Sequence, residues 1–446
     1  MLVSAVLVAS VVFSTVVVQA QSRGGSQDGG QSGDPAKDPG VRGGAPGVGG
    51  PLPNLSPQYQ AFFEAALTRF QDVDGPANGL GPGFNSNSCS SCHAQPAIGG
   101  SSPALNPQVD FASPTNQMPS FITANGPVRE TRFISLPNGQ PDGGVHNVFV
   151  ITGQPGTAGC NMQQPNYEAE LAANNVIFRI PTPLFGLGLV EDIDDATIKA
   201  GINDPRKAAL GIHGQANLSG NTGNVTRFGW KAQNASLMIF AGEAYNVEMG
   251  VTNEIFPVKR NVLNNPSCQL NPLPEDFPNS TDQSNGVSLM SGILDDVSNF
   301  AEFMRTTAPP QPAAPTPQTI AGQGLFVLVG CAACHTPTLN TGSSSYITGL
   351  ANTPVNAFSD FLVHHMGQGL ADGITQGNAG PDQFRTAPLW GIGQRIFFLH
   401  DGRTSDLMQA ILAHQSQGSE ANQVIHNFNR LQPFEQQAIL DFLRSL

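Results

Sequence analysis

Thr319-Ile-Ala-Gly-Gln-Gly-Leu-Phe326-Val-Leu-Val329-Gly-Cys331-Ala-Ala-Cys334-His335 sets an apolar, helix-patterned run directly before a C-x-x-C-H motif. The motif occurs a second time as Cys89-Ser-Ser-Cys92-His93. C-x-x-C-H is the attachment signature of c-type haem: two thiols add across the vinyl groups and the adjacent histidine is placed to ligate the iron. A single copy can arise by chance. Two complete copies in a chain of six cysteines point to two covalent haems, with His93 and His335 as the iron ligands. A zinc ion held by four sulfurs would need its cysteine pairs much closer in sequence. A thioredoxin-type C-x-x-C follows a strand in a βαβ pattern, which neither copy does.

Working outward, Met1 to Ala20 is a run of Val, Ala, Leu, Ser and Phe ending in small residues, which reads as a secretory signal despite lacking a charged start. An uncleaved membrane anchor is the alternative. Export to the periplasm or the extracellular space agrees with c-type haem, which bacteria attach outside the cytoplasmic membrane. Residues 21–55, rich in Gly, Pro, Ser, Asp and Gln, predict a disordered leader. The roughly 390 residues that follow suffice for two domains. A formal net charge of −13 argues against nucleic acid or an anionic membrane as partner. Fifty glycines and 36 prolines predict a loop-rich chain rather than a plain helical bundle. Cys160 and Cys268, outside both motifs, are most simply a disulfide in an exported protein, with two buried free thiols as the alternative.

Phe62, Phe63, Leu67 and Phe70 recur at helical spacing and predict a helix over 56–72. The stretch 100–179 is turn-rich, with strands expected at 148–151 and 176–178. Helical patterning returns near 194–200, 231–243 and 294–305. Ala308–Pro317 reads as a stiff Pro-rich linker. A terminal amphipathic helix over 433–446 is marked by Phe434, Ile439, Phe442 and Leu443. The expected fold is mainly α with irregular and some β insertions. An N-terminal haem domain (56–306) enlarged by an insertion, a linker (307–317) and a C-terminal domain (318–446) would each follow. A helix before C-x-x-C-H and a terminal helix across it resemble a cytochrome c domain. In cytochromes c an aromatic also packs near the haem edge, and Phe84 and Phe326 precede the two motifs here.

Phe384-Arg385-Thr-Ala-Pro-Leu-Trp390-Gly391, then Phe398-Leu-His400-Asp-Gly-Arg403 and Leu407, resemble the C-terminal haem domain of bacterial di-haem cytochrome c peroxidases and MauG-type enzymes. Arg227-Phe-Gly-Trp230-Lys231, Glu248-Met-Gly-Val-Thr252 and Leu362-Val-His364-His365-Met366-Gly367 are similar to di-haem oxidoreductases often labelled thiol oxidoreductase-like. The resemblance runs from about Ser56 to Leu446. It implies an exported, peroxidase-like di-haem oxidoreductase. Electrons from a small soluble cytochrome c or a cupredoxin would reach the C-terminal haem, and hydrogen peroxide or another small oxidant would react at the N-terminal one.

A haem with two strong ligands carries electrons, whereas an open or weakly held position activates peroxide. In the peroxidases the second haem takes its distal ligand fourteen residues after the histidine of His-Asp-Gly. Counting from His400 reaches His414, where the peroxidases have methionine and the MauG type tyrosine. A bis-His site has a lower potential than a His/Met one. The alternatives are an ordinary histidine on a helix face shared with Leu407 and Ile411, and Met366 as the ligand. Arg385 matches an arginine beside the haem propionates, and His400 one near the haem that does not bind iron. At the first haem the resemblance implies a glutamate that moves protons during O–O cleavage. Glu130 and Glu248 are the candidates, each equally readable as a surface carboxylate, and His146 is a candidate to close the site. Trp230 and Trp390 read as packing residues rather than relays. Calcium is left open, with no residue pattern to support it, as is the oligomeric state. The rival reading is a di-haem electron carrier with both irons fully ligated, and a third is radical oxidation of a partner protein as in the MauG branch. Thiol oxidation gains no support, because no C-x-x-C remains free once the haems are attached.

Overall fold

A computed structural model describes residues 34–113, 115–276, 295–345, 347 and 349–446. The expected signal at 1–20, the first part of the leader and residue 294 of the third middle helix lie outside these. Residues Pro35–Leu446 form one compact unit. It is mainly helical, with four small antiparallel sheets among long loops in the described residues.

In the N-terminal half, Ser56 Oγ accepts the Tyr59 amide at 3.3 Å and Pro57 occupies the first turn, which starts the Pro57–Gln71 helix. Its buried face, Phe63, Ala66 and Phe70, packs on the Asp296–Thr306 helix, which also meets the Leu237–Met249 helix. That third helix starts later than its sequence pattern predicts. Residues 228–234 turn tightly first, with Phe228 and Asn234 bridged, and Ser236 Oγ then caps Ile239 N at 3.2 Å. The helix stops at Gly250, at φ 78°, where a Cβ would stand 2.5 Å from Gly81 O. The central strand Glu130–Phe133 pairs with Val145–His146 on one side and Val176–Arg179 on the other. Phe149–Val150 pairs with Gly83–Phe84 and so fixes the chain just before the first motif. Cys160 and Cys268 are disulfide-bonded.

In the C-terminal half the Pro317–Val329 and Pro433–Ser445 helices pack closely. Gly322 lets them approach: a Cβ there would lie 1.9 Å from Ala438 O. Phe326, Val329, Ile439, Leu440, Phe442 and Leu443 form the core between them. Phe434, expected on the inner face, is 70% exposed, because it sits on the outer side of the first turn.

One expectation is corrected by packing. Residues 35–55 are not a free leader: Arg42 N bonds Gly393 O at 2.7 Å, Asp38 pairs with Arg444 at 2.5 Å, and Leu52 is buried. The Pro-rich linker is likewise fastened, through Ala308 N to Gly50 O (2.9 Å), Gln311 N to Gly47 O (3.1 Å) and Ala313 N to Ser445 O (2.7 Å). Segments too polar to build their own core are ordered here by docking on one that exists. No helix among the described residues is long and apolar enough to cross a membrane.

Candidate functional site

Gly330, at φ 108°, ends the Pro317–Val329 helix and swings the chain into the turn Cys331–Ala333. His335 Nδ1 then lies 3.0 Å from Phe358 O. A carbonyl can only accept, so Nδ1 carries the proton and Nε2 is left as the ligand atom. Cys331, Cys334 and His335 wall a cavity with about 1390 Å³ of empty space. His414 lines the same cavity, with Nδ1 fixed 2.8 Å from Ala410 O, again leaving Nε2. Burial holds His335 down to about 4, with His414 adding to it, and burial also lowers His414. Neutral imidazoles are what a metal requires. The Leu407–Leu412 helix ends before His414, which occupies the following turn rather than the helix face expected for it. Met366 and His400 line the cavity too. The His400 ring stacks on Phe384 at 4.2 Å, and burial pushes it down to about 4. Phe326 stands 6.4 Å from the His335 ring, the place foreseen for it.

His364, noted in the sequence only as part of a family motif, is a further wall residue. Its Nε2 lies 3.0 Å from Asp360, its Nδ1 2.8 Å from Glu420, and Asp360 also pairs with Lys207 at 2.5 Å.

The first motif repeats the geometry: His93 Nδ1 lies 3.0 Å from Gly100 O, and burial pushes the ring down to about 4. With Cys89 and Cys92 it walls a second cavity with about 1170 Å³ of empty space. The aromatic beside His93 is Phe70, at 6.1 Å; Phe84 instead packs on Phe111 and Phe149. Glu130 and Glu248, 118 positions apart in sequence, line this cavity together, close enough for each carboxyl to act on the other's charge. The central strand delivers the first and the last turn of the Leu237–Met249 helix the second. Asn85 Oδ1 accepts the Val148 amide at 2.8 Å, which turns its Nδ2 to donate to Glu248 at 2.6 Å. Arg132 pairs with Glu130. Burial, then the Glu130 charge, hold Glu248 well above the carboxylate range, so it keeps its proton. Burial works to raise Glu130 as well, but Arg132 and Arg179 outweigh it and hold Glu130 below its usual value. His146 is elsewhere: it bonds Asp142 at 2.8 Å and stacks on Phe133.

Between the two cavities lies a third space, and Trp230 lines all three. Its Nε1 donates to Ile180 O at 2.9 Å. Trp390 lines the middle space. Arg385 and Arg395 wall both the middle space and the C-terminal cavity. Arg385 spends Nε on Gly229 O at 2.9 Å, while Nε and Nη2 of Arg395 have no partner among the described residues. Burial pushes both guanidiniums down to about 10. Buried guanidiniums without an anion are costly. The two carboxylates of a haem match this pair, so the residues fit the group. Nothing in its local sequence singles out Arg395. For calcium, ligand atoms of Glu254, Asp276 and Asp295 all lie within 4.8 Å of one another, but Asp276 already accepts the Asp296 amide (2.8 Å) and that of Val297.

The family model described as "Di-haem oxidoreductase, putative peroxidase" matches residues 137–446. No curated protein matches the chain. Among solved structures, the diheme peroxidase BthA from Burkholderia thailandensis is 16% identical, with a TM-score of 0.37, over 89% of this chain and 87% of that one. A MauG-like protein associated with microbial copper homeostasis is 15% identical, with a TM-score of 0.28, over 59% and 89%. Hydrazine synthase from Kuenenia stuttgartiensis is 18% identical, with a TM-score of 0.23, over 34% of this chain and 55% of that one. The family rests on its own model and not on these likenesses.

Proposed function

The chain belongs to the di-haem oxidoreductase family, and from that premise we propose that it is an exported peroxidase whose N-terminal cavity holds the peroxide-reacting haem. The family implies two haems and a peroxide substrate. The finer assignments are ours. Thioether bonds to Cys89, Cys92, Cys331 and Cys334 would attach the haems, His93 and His335 would ligate the irons, and His414, ahead of Met366, would be the second protein ligand at the C-terminal haem. Arg385 and Arg395 hold that haem's propionates, and His400 flanks it without binding iron. Each haem belongs to its own cytochrome c-like half, the N-terminal one enlarged. Electrons from a small cytochrome c or cupredoxin arrive at the C-terminal half. The Cys160–Cys268 disulfide supports export.

The observation that carries this reading is the Glu130–Glu248 pair beside His93. A bound haem supplies the redox-active iron at which the O–O bond is cleaved. The residues supply the proton traffic. Glu130, ionised beside Arg132, takes a proton from incoming peroxide, and Glu248, kept protonated, gives one to the departing oxygen. Asn85 and Arg132 hold the two carboxyls in those roles. Glu130→Gln and Glu248→Gln should each lower peroxide-dependent oxidation of a reduced cytochrome about 100-fold, with both haem spectra unchanged. Activity within twofold of the parent in both variants would refute the reading. A cyanide titration should find one open iron per chain; none would favour the electron carrier.

A further inference from the structure

Tyr245 is nearly fully buried, lines the cavity of His93, and sits in the Leu237–Met249 helix one turn before Glu248. Its hydroxyl donates to Asp74 Oδ2 at 3.0 Å or Asp296 Oδ2 at 3.1 Å, and accepts from Arg69 Nη2 at 2.7 Å. Arg69 also grips Asp296 through Nε at 2.5 Å and Asp74 through Nη2 at 3.2 Å. Both aspartates are themselves buried. A buried phenol thus points its proton at two carboxylates, in the wall of a cavity built for a strong oxidant.

The contrast with Tyr167 gives this arrangement chemical meaning. That phenol is equally buried, but its hydroxyl donates to the carbonyls of His146 (3.0 Å) and Asn147 (2.7 Å). Carbonyls cannot take a proton. A phenol losing one electron becomes a strong acid and must release its proton at once, so it oxidises easily only where a base already holds the hydrogen bond. Tyr245 has that base and Tyr167 does not. Burial also raises Asp74, which makes it a better proton acceptor.

We propose that Tyr245 is a redox site of the N-terminal haem centre, storing one oxidising equivalent as a neutral tyrosyl radical when no donor electron is at hand. The inference rests on the peroxidase reading above. Hydrogen peroxide is the oxidant and withdraws two electrons from the protein. Tyr245 supplies one of them to the peroxide-oxidised haem centre, and its phenolic proton moves to Asp74 or Asp296. An electron later arriving from the donor, with that proton returning, restores the phenol. A purely structural role, tying three helices through Arg69, would produce no radical.

The test uses the full haem-loaded protein, fully oxidised, mixed with hydrogen peroxide without donor and frozen for EPR. We expect an organic-radical signal that narrows when ring-deuterated tyrosine is incorporated. It should persist in Tyr167→Phe and vanish in Tyr245→Phe. Should Tyr245→Phe fail to fold, the deuterium arm on the parent protein and Asp74→Asn still decide, the latter expected to lower radical yield about tenfold or more. A signal unaffected by deuterated tyrosine, or surviving in Tyr245→Phe, overturns the inference. If peroxide changes the haem spectrum but no tyrosyl signal forms, only this inference falls. If peroxide leaves the spectrum unchanged, the peroxidase reading falls with it.

Discussion

At the scale of single residues, hydrogen bonds to fixed carbonyls do most of the sorting. His93, His335 and His414 each spend Nδ1 on a backbone carbonyl, and that leaves Nε2 for iron. Replacing His414 with alanine should therefore convert one low-spin haem into a ligand-binding one and add one equivalent to a cyanide titration. An unchanged spectrum would move the assignment to Met366. The glutamate pair gives a pH profile with a definite sign. Glu130, held below the usual carboxylate range, stays ionised down to moderately acid pH. Glu248, raised well above it, keeps its proton where an ordinary carboxyl has lost one and gives it up as pH rises through the raised value. Peroxide turnover should thus rise as Glu130 ionises and fall on the alkaline side as Glu248 does. The residual activity of Glu248→Gln should lack that alkaline fall, read as the ratio of rates across the limb.

At the scale of elements, the clearest dependence is on close helix packing. The Pro317–Val329 helix presents Gly322 to the backbone of Ala438, and no side chain larger than hydrogen fits at 1.9 Å. Gly322→Ala should push the two helices apart and cost about 1–3 kcal/mol. A thermal melt followed at the C-terminal haem band would show it as a lowered midpoint. Gly324, on the same helix with open space around it, is the matching control. There alanine should stabilise slightly through helix propensity.

At the scale of the whole molecule, the cavities of His93 and His335 have one wall residue in common among the described residues. The sequence predicts packing for Trp230, and its ring lines both cavities and the space between them. Trp230→Phe keeps the ring bulk and loses the indole. It should slow electron transfer from the C-terminal to the N-terminal haem, seen by stopped flow after mixing the half-reduced protein with peroxide, while each haem keeps its resting spectrum. An unchanged transfer rate would return Trp230 to a packing role.

The sequence alone determined the chemistry that local spacing encodes. Two cysteines and a histidine within five positions carry the haem-attachment signature, and apolar periodicity with Ser or Pro at the start suffices to specify helices such as Pro57–Gln71 and Pro433–Ser445. It also supplied Glu130 and Glu248 as separate candidates, with nothing to say they meet. Only the tertiary structure could bring them together, because a shared cavity wall for positions 118 apart depends on how a strand and a helix end converge. The same holds for Arg395, for Tyr245 and its aspartates, and for the fastening of residues 35–55. Each owes its character to burial and to partners far along the chain, and neither leaves a periodic trace in the sequence.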